Sequence, residues 1–247
     1  MRRPFLIYPA IDLKGGKVVR LQQGRAEAET VYSDDPAAVA KRWEDEGARF
    51  LHVVDLDGAF EGVPRNWDSV RAILKAVQIP VQLGGGLRNR SQIEDAMAMG
   101  VTRCVVGTKA CDSPEFVAGL AADFGAHVAV GIDARDGFVA VKGWTENTNL
   151  VAVEFAQQIN RLGVQHIIFT DISTDGMLTG PNYFAIVAVC DAVKCFVIAS
   201  GGVGNTDHVR RLQRVAEQHE NLTGVITGKA LYDGRVDLKQ LETETRR

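Results

Sequence analysis

A pattern that occurs twice constrains this chain more than any other feature. An apolar run ends in an aspartate at Phe5-Leu-Ile-Tyr-Pro-Ala-Ile-Asp12, and again at His127-Val-Ala-Val-Gly-Ile-Asp133. Glycine-rich run ends follow in each half. The first half has Val81-Gln-Leu-Gly-Gly-Gly86 and Cys104-Val-Val-Gly-Thr108; the second has Val197-Ile-Ala-Ser-Gly-Gly202 and Val225-Ile-Thr-Gly-Lys229. Asp12 and Asp133 stand 121 residues apart, as do Gly107 and Gly228. A repeat of about half the chain bears on the whole fold. Each half offers one carboxylate and two glycine-rich segments, all at the ends of apolar runs.

Those runs are rich in Val and Ile and lack strict alternation, as in parallel strands buried on both faces. Eight are expected, at 5–11, 50–55, 80–83, 103–107, 127–132, 165–170, 195–200 and 224–227. Helix-start chemistry lies between them. Asp35-Pro36 and Ser113-Pro114 each place a capping side chain before a proline at the first helical position. Ser91-Gln-Ile-Glu94 has the form of a capping box, and Asn182 and Asn205 suit two further caps. Helices are expected at about 36–47, 66–78, 91–99, 113–123, 149–162, 182–193, 205–218 and 235–244. Longer loops are expected at 13–34 and 134–148, and a frayed end at 242–247. Eight alternating units with twofold repetition fit a closed (β/α)8 barrel better than an open sheet. A length of 247 residues suits one such domain, with half-barrel repeats at about 1–125 and 126–247.

Net charge is −3, which argues against a general nucleic-acid binder. No apolar run is long enough to span a membrane. The Arg2-Arg3 start leads into a short first strand rather than a signal sequence. Cys104, Cys111, Cys190 and Cys195 show no Cys-x-x-Cys spacing and read as buried, reduced thiols of a cytoplasmic protein. No metal-ligand spacing appears, nor a Gly-x-Gly-x-x-Gly after the first strand, so neither a metal nor a nicotinamide cofactor is implied.

In a barrel of this kind chemistry gathers at the carboxyl ends of the strands. Asp12 and Asp133 end the first and fifth strands, which are opposite each other in an eight-strand ring. Facing carboxylates act as general base and general acid when their surroundings separate their pKa values. Asp55 ends the second strand, and Thr170-Asp171 the sixth. Gly85, Gly86, Gly107 and Thr108 form one candidate phosphate site; Gly201, Gly202, Gly228 and Lys229 form its repeat partner. Glycine admits close approach of an anion, and helix starts supply free N–H groups. The ligand so implied is a small molecule with a phosphate at each end, with Arg88 and Lys229 adding charge. Trp144 suits stacking on a flat ring, and the two long loops suit closure over the site. His52 lies three residues before Asp55 and suits the barrel mouth, whereas His127 and His166 fall near strand starts, away from it.

The same segments resemble one family, the phosphoribosylformimino-5-aminoimidazole carboxamide ribotide isomerases of histidine biosynthesis. The resemblance rests on Pro9-Ala-Ile-Asp-Leu-Lys14, Lys17-Val-Val-Arg-Leu-Gln-Gln-Gly24, His52-Val-Val-Asp-Leu-Asp-Gly58, Gln82-Leu-Gly-Gly-Gly-Leu-Arg88, Gly143-Trp144, Thr170-Asp-Ile-Ser-Thr-Asp-Gly176 and Ser200-Gly-Gly202. It implies a cofactor-independent Amadori rearrangement of an aminoaldose to an aminoketose. By position, it makes Asp12 the general base and Asp133 the general acid. It makes Thr170 a support for the base and the substrate. Arg20 lies in its second segment, and Asp175 matches a carboxylate that favours this substrate over the anthranilate analogue. Met177, Gly15 and Lys229 depart from residues common in the family, but none is a proposed catalytic group. The sister cyclase of imidazole glycerol phosphate synthase shares both aspartates. It usually has Cys-Leu-Asp where Ala10-Ile-Asp12 stands, lysine at Arg20 and serine at Thr170, and it works with a glutaminase. A bifunctional isomerase that also takes phosphoribosyl anthranilate is the other rival. The isomerase reading carries no obligate protein partner and implies a monomer by analogy.

Overall fold

The computed structural model describes residues 4–22, 25–107, 109–141, 144 and 146–245. Eight parallel strands form the barrel: β1 (Leu6–Lys14), β2 (Leu51–Asp55), β3 (Val81–Gly84), β4 (Arg103–Val106), β5 (Val128–Arg135), β6 (His166–Asp171), β7 (Phe196–Ser200) and β8 (Leu222–Thr227). Each pairs with the next, and β8 returns to β1 through Leu6↔Gly224, which closes the ring. The molecule is a single (β/α)8 barrel.

Around it stand α1 (Pro36–Asp45), α2 (Trp67–Ala76), α3 (Arg90–Met99), α4 (Pro114–Phe124), α5 (Ala152–Arg161), α6 (Tyr183–Ala192), α7 (Thr206–Gln218) and α8 (Leu238–Thr245). Each turns one apolar stripe inward: α7 buries Val209, Leu212 and Ala216 at helical spacing. Asp35, Ser113, Asn182 and Asn205 cap their helices as expected. For α3 the cap lies two residues earlier than predicted. Asn89 and Gln92 form the capping box, because the chain turns into the helix directly after Arg88.

The main core fills the space between sheet and helices. A smaller cluster inside the barrel contains Tyr8, Ala10, Phe50, Ala129, Ile168, Ile198 and Ile226. No helix among the described residues is long and apolar enough to cross a membrane.

Two further expectations need correction. The long loops contain antiparallel strands, at Lys17–Gln22 and Arg25–Ser33 after β1, and at Phe138–Val141 and Glu146–Val151 after β5. The first hairpin pairs directly onto β1 through Asp12↔Val19, the second onto β5 through Ala134↔Val139. The expected frayed end is also partly tied down. Leu241 and Glu242 are buried, and Glu242 accepts a hydrogen bond from Arg49 Nε at 2.7 Å. Residues 246–247 lie outside the described residues.

Candidate active site

The carboxyl ends of the strands surround a cavity of about 240 Å³. Asp12, Arg20, His52, Arg88, Gly107, Asp133, Trp144, Thr170 and Asp175 all line it, together with the Gly84-Gly85-Gly86 turn. A smaller depression of about 30 Å³ adjoins it, lined by Gly201, Gly202, Gly228 and Lys229. Arg20, Asp175, Ser200 and Ile226 border both. The two glycine-rich clusters therefore lie at separate ends of one site, with the carboxylates between them. Thr108 lies outside the described residues.

Each catalytic candidate sits in different company. The first hairpin brings Arg20 back over the end of β1, where its Nη1 donates to Asp12 Oδ2 at 2.8 Å. Burial raises the Asp12 carboxyl above its ordinary range, and the guanidinium opposes that rise. Arg20 itself rests on Gly228: a Cβ there would lie 2.3 Å from its Cζ. Asp133 has neutral hydrogen-bond partners. Burial raises its pKa as well, while hydrogen bonds from the Trp144 and Thr170 side chains oppose the rise. Thr170 is the β6 residue paired with Asp133 in the sheet. It therefore supports the carboxylate expected to be the acid, where the resemblance had it supporting the base. Trp144, expected to stack on a ring, has its side chain engaged with Asp133 and takes a backbone φ of +72°.

Asp175 faces the same space from the turn after β6. Its pKa is raised to about 6 by burial and by Asp12 and Asp133, against the pull of Arg20. Asp12 and Asp175 thus share one guanidinium. His52 is pushed down to about 3 by burial and by Arg20, so its ring is neutral. Lys229 reaches the smaller depression while paired with Asp233 at 3.1 Å.

Asp55 and Asp171, expected to touch the ligand, lie elsewhere. Neither lines the cavity. Asp55 is fully buried and accepts hydrogen bonds from the backbone N–H groups of Gly58 (2.8 Å), Arg65 (2.6 Å) and Asn66 (2.9 Å), and from Asn66 Nδ2 (2.7 Å). Asp171 accepts from Ser173 N at 2.9 Å and Asn182 Nδ2 at 2.6 Å. These carboxylates turn away from the mouth because unpaired loop N–H donors, costly to bury alone, lie behind it. They also shape the glycine turns. Gly85 and Gly201 have φ of +94° and +92°, and a Cβ would lie 2.0 Å from the Asp55 carbonyl oxygen and 2.7 Å from that of Asp171. Only glycine fits this left-handed approach of one strand end to the next loop.

The sequence reading missed Ser200, which borders both cavities, and two residues deeper in the barrel. Gln82 Nε2 lies 2.9 Å from His52 Nδ1, and Arg103 Nη1 donates to Gln82 Oε1 at 3.0 Å. A glutamine and an arginine inside short apolar strands were the available signal. Among the described residues, no cluster of His, Cys, Asp and Glu is arranged to hold a metal ion.

Fold and site together define a barrel enzyme with three carboxylates facing one cavity and glycine turns at its ends. The chain belongs to the histidine biosynthesis protein family, whose model matches residues 6–237. It is 55% identical over 235 residues to a protein of Opitutus terrae, covering 95% of this chain and 96% of that one. Relatives in Syntrophotalea carbinolica (48%; 95% of this chain, 96% of the relative) and Syntrophomonas wolfei (47%; 94% and 95%) are similar over nearly the same span. All three are named 1-(5-phosphoribosyl)-5-((5-phosphoribosylamino)methylideneamino)imidazole-4-carboxamide isomerase.

Proposed function

We infer that this chain catalyses the Amadori isomerisation named for its relatives, converting the phosphoribosyl aminoaldose to the phosphoribulosyl aminoketose in histidine biosynthesis. It is an aldose–ketose isomerase. Neither the cyclase reaction nor a second, anthranilate substrate is favoured, since the relatives carry the isomerase name. The observation that carries the mechanism is the pair Asp12 and Asp133 on one cavity, the first beside a cation and the second beneath neutral donors.

Asp133, protonated, gives its proton to the ring oxygen of the ribose as the bond from that oxygen to C1′ breaks. The amine nitrogen supplies the electron pair and becomes an iminium. Asp12, ionised beside Arg20, takes the proton from C2′. The C2′–H electron pair forms the C1′–C2′ double bond, and the iminium pair returns to nitrogen. The enol then tautomerises to the ketone. Hydrogen is redistributed within one molecule, so no external oxidant or reductant enters the balance. The glycine turns after β3 and β7, with Gly107, Gly228 and Lys229, hold the terminal phosphates. Arg20 bridges the two ends, and Asp175 beside it bears on which aglycone is accepted.

The working unit in this reading is a monomer: both carboxylates and both phosphate cradles come from one chain, with no protein, nucleic-acid or membrane partner. The free, buried thiols of Cys104, Cys190 and Cys195 suit the reducing cytoplasm.

Purified protein should convert the aminoaldose without added metal, cofactor or partner and incorporate solvent deuterium at C1′. Turnover that requires ammonia and a glutaminase would replace the isomerase with the cyclase.

A further inference from the structure

The barrel floor carries a polar chain that the reaction scheme leaves unused. Arg103 enters from β4 and is held on several sides. Its Nε donates to the Ala126 carbonyl at 3.2 Å, Nη1 to Gln82 Oε1 at 3.0 Å, and Nη2 lies 3.2 Å from His166 Nε2. The guanidinium lies over the Phe50 ring at 5.1 Å, and the Tyr8 side chain is hydrogen-bonded to it. These are neutral partners, and together they fix its orientation.

A guanidinium has donors only, so the Gln82 atom facing it is the carbonyl oxygen. That turns the Gln82 N–H2 group toward His52. An amide N–H2 donates and has nothing to accept with, so His52 Nδ1, 2.9 Å away, is the bare nitrogen. A charged ring would set two donors against each other. The neutral ring therefore carries its proton on Nε2, and His52 borders the cavity. By the same logic His166 accepts from Arg103 through Nε2.

We propose that Arg103, acting through Gln82, locks His52 into the tautomer protonated at Nε2 and so makes it a neutral hydrogen-bond donor to a substrate oxygen. The donor sits on the base's side of the floor, since His52 pairs with Ala10 two residues below Asp12. Gln82 and Arg103 are positioning residues, and the oxygen belongs to the sugar whose C2′ proton Asp12 takes. This role rests on the isomerase reading; the tautomer does not.

The test is long-range proton–nitrogen NMR on the full-length protein with 15N-labelled histidine and no substrate. His52→Gln identifies the His52 signals. The expected result is a proton on Nε2 and none on Nδ1, unchanged from about pH 5 to about pH 9. In Gln82→Glu a carboxylate replaces the donor, so the proton should move to Nδ1. Turnover should then fall about tenfold or more, mainly in kcat, with circular dichroism unchanged. A wild-type His52 protonated at Nδ1, or titrating within that range, overturns the lock. A reversed tautomer with full turnover overturns the role. Failure of the wild type to convert the aminoaldose overturns the role together with the isomerase reading, while the NMR result shows whether the lock itself holds.

Discussion

Counting back from the strand ends, β2 places His52 where β6 places Ile168, β3 places Gln82 where β7 places Ile198, and β4 places Arg103 where β8 places Gly224. The two halves share their strands, hairpins and glycine turns, yet at these three positions one half places hydrogen-bonding groups and the other two isoleucines and a glycine. Ile168 and Ile198 belong to the interior apolar cluster, and at Gly224 a Cβ would lie 2.7 Å from Tyr8 Cε2. The backbone is alike in both halves where glycine conformation and loop anchoring leave little choice. Side chains differ between the halves where interior packing allows it. The carboxylates show the same division: Asp12 gained a cation from its hairpin, while Asp133 gained a hydroxyl and an indole.

The sharpest way to break this comparison is to neutralise each carboxylate in turn. Asp12→Asn and Asp133→Asn should each lower kcat by at least ~10³-fold, the strong end of general acid–base effects. Their pH profiles should differ. A base must be ionised and an acid protonated, so the wild-type profile is bell-shaped. The residual rate of Asp12→Asn should lose the acidic limb, and that of Asp133→Asn the basic limb. The same limb lost in both would erase the assignment of roles by half.

A smaller effect separates the two loop anchors. Asp55→Ala strands the Gly58, Arg65 and Asn66 donors in a fully buried setting and should cost about 3–4 kcal/mol in urea unfolding. Asp171→Ala frees the donors of Ser173 and Asn182 where water can reach more easily, and should cost about 1–2 kcal/mol. Equal losses would mean that the halves are anchored alike.

A comparable effect, set by pH, concerns Asp175, which the second half aims at the first half's arginine. Its folded pKa is about 6, against 3.8 for an unperturbed aspartate. Between those values the folded protein holds a proton that the unfolded chain has released, so stability falls as pH rises through that window. Asp175→Asn removes this penalty. It should raise stability by about 1–3 kcal/mol near pH 8 and leave it unchanged near pH 3. A gain of equal size at both pH values would point to packing rather than charge.

The barrel was legible because parallel strands buried on both faces produce unbroken Val and Ile runs, and because Asp35, Ser113, Asn182 and Asn205 mark helix starts. The hairpins were not. Segments such as Arg25-Ala-Glu-Ala-Glu-Thr30 gain strand structure from pairing with a neighbour, without an apolar run to announce it. Asp12 and Asp133 were legible through the repeat. Asp55 and Asp171 obey the same repeat but face the other way, since a strand-end carboxylate carries no sign of whether loop amides or open cavity await it. Gln82 and Arg103 lie away from the carboxyl ends of their strands, and their partners are brought together across the barrel by strand register.

A receptor with twofold repetition faces a difficulty when its guest bears the same charged group at both ends, because the guest has two ways to enter. The backbone cradles after β3 and β7 are alike and do little to choose between them. The floor distinguishes them: beside the cavity one flank presents the His52 imidazole, where the other presents Ile168. Entry in the reversed sense would set the other sugar before Asp12 and His52. The unequal floor gives the molecule a handedness of reading that its duplicated frame lacks.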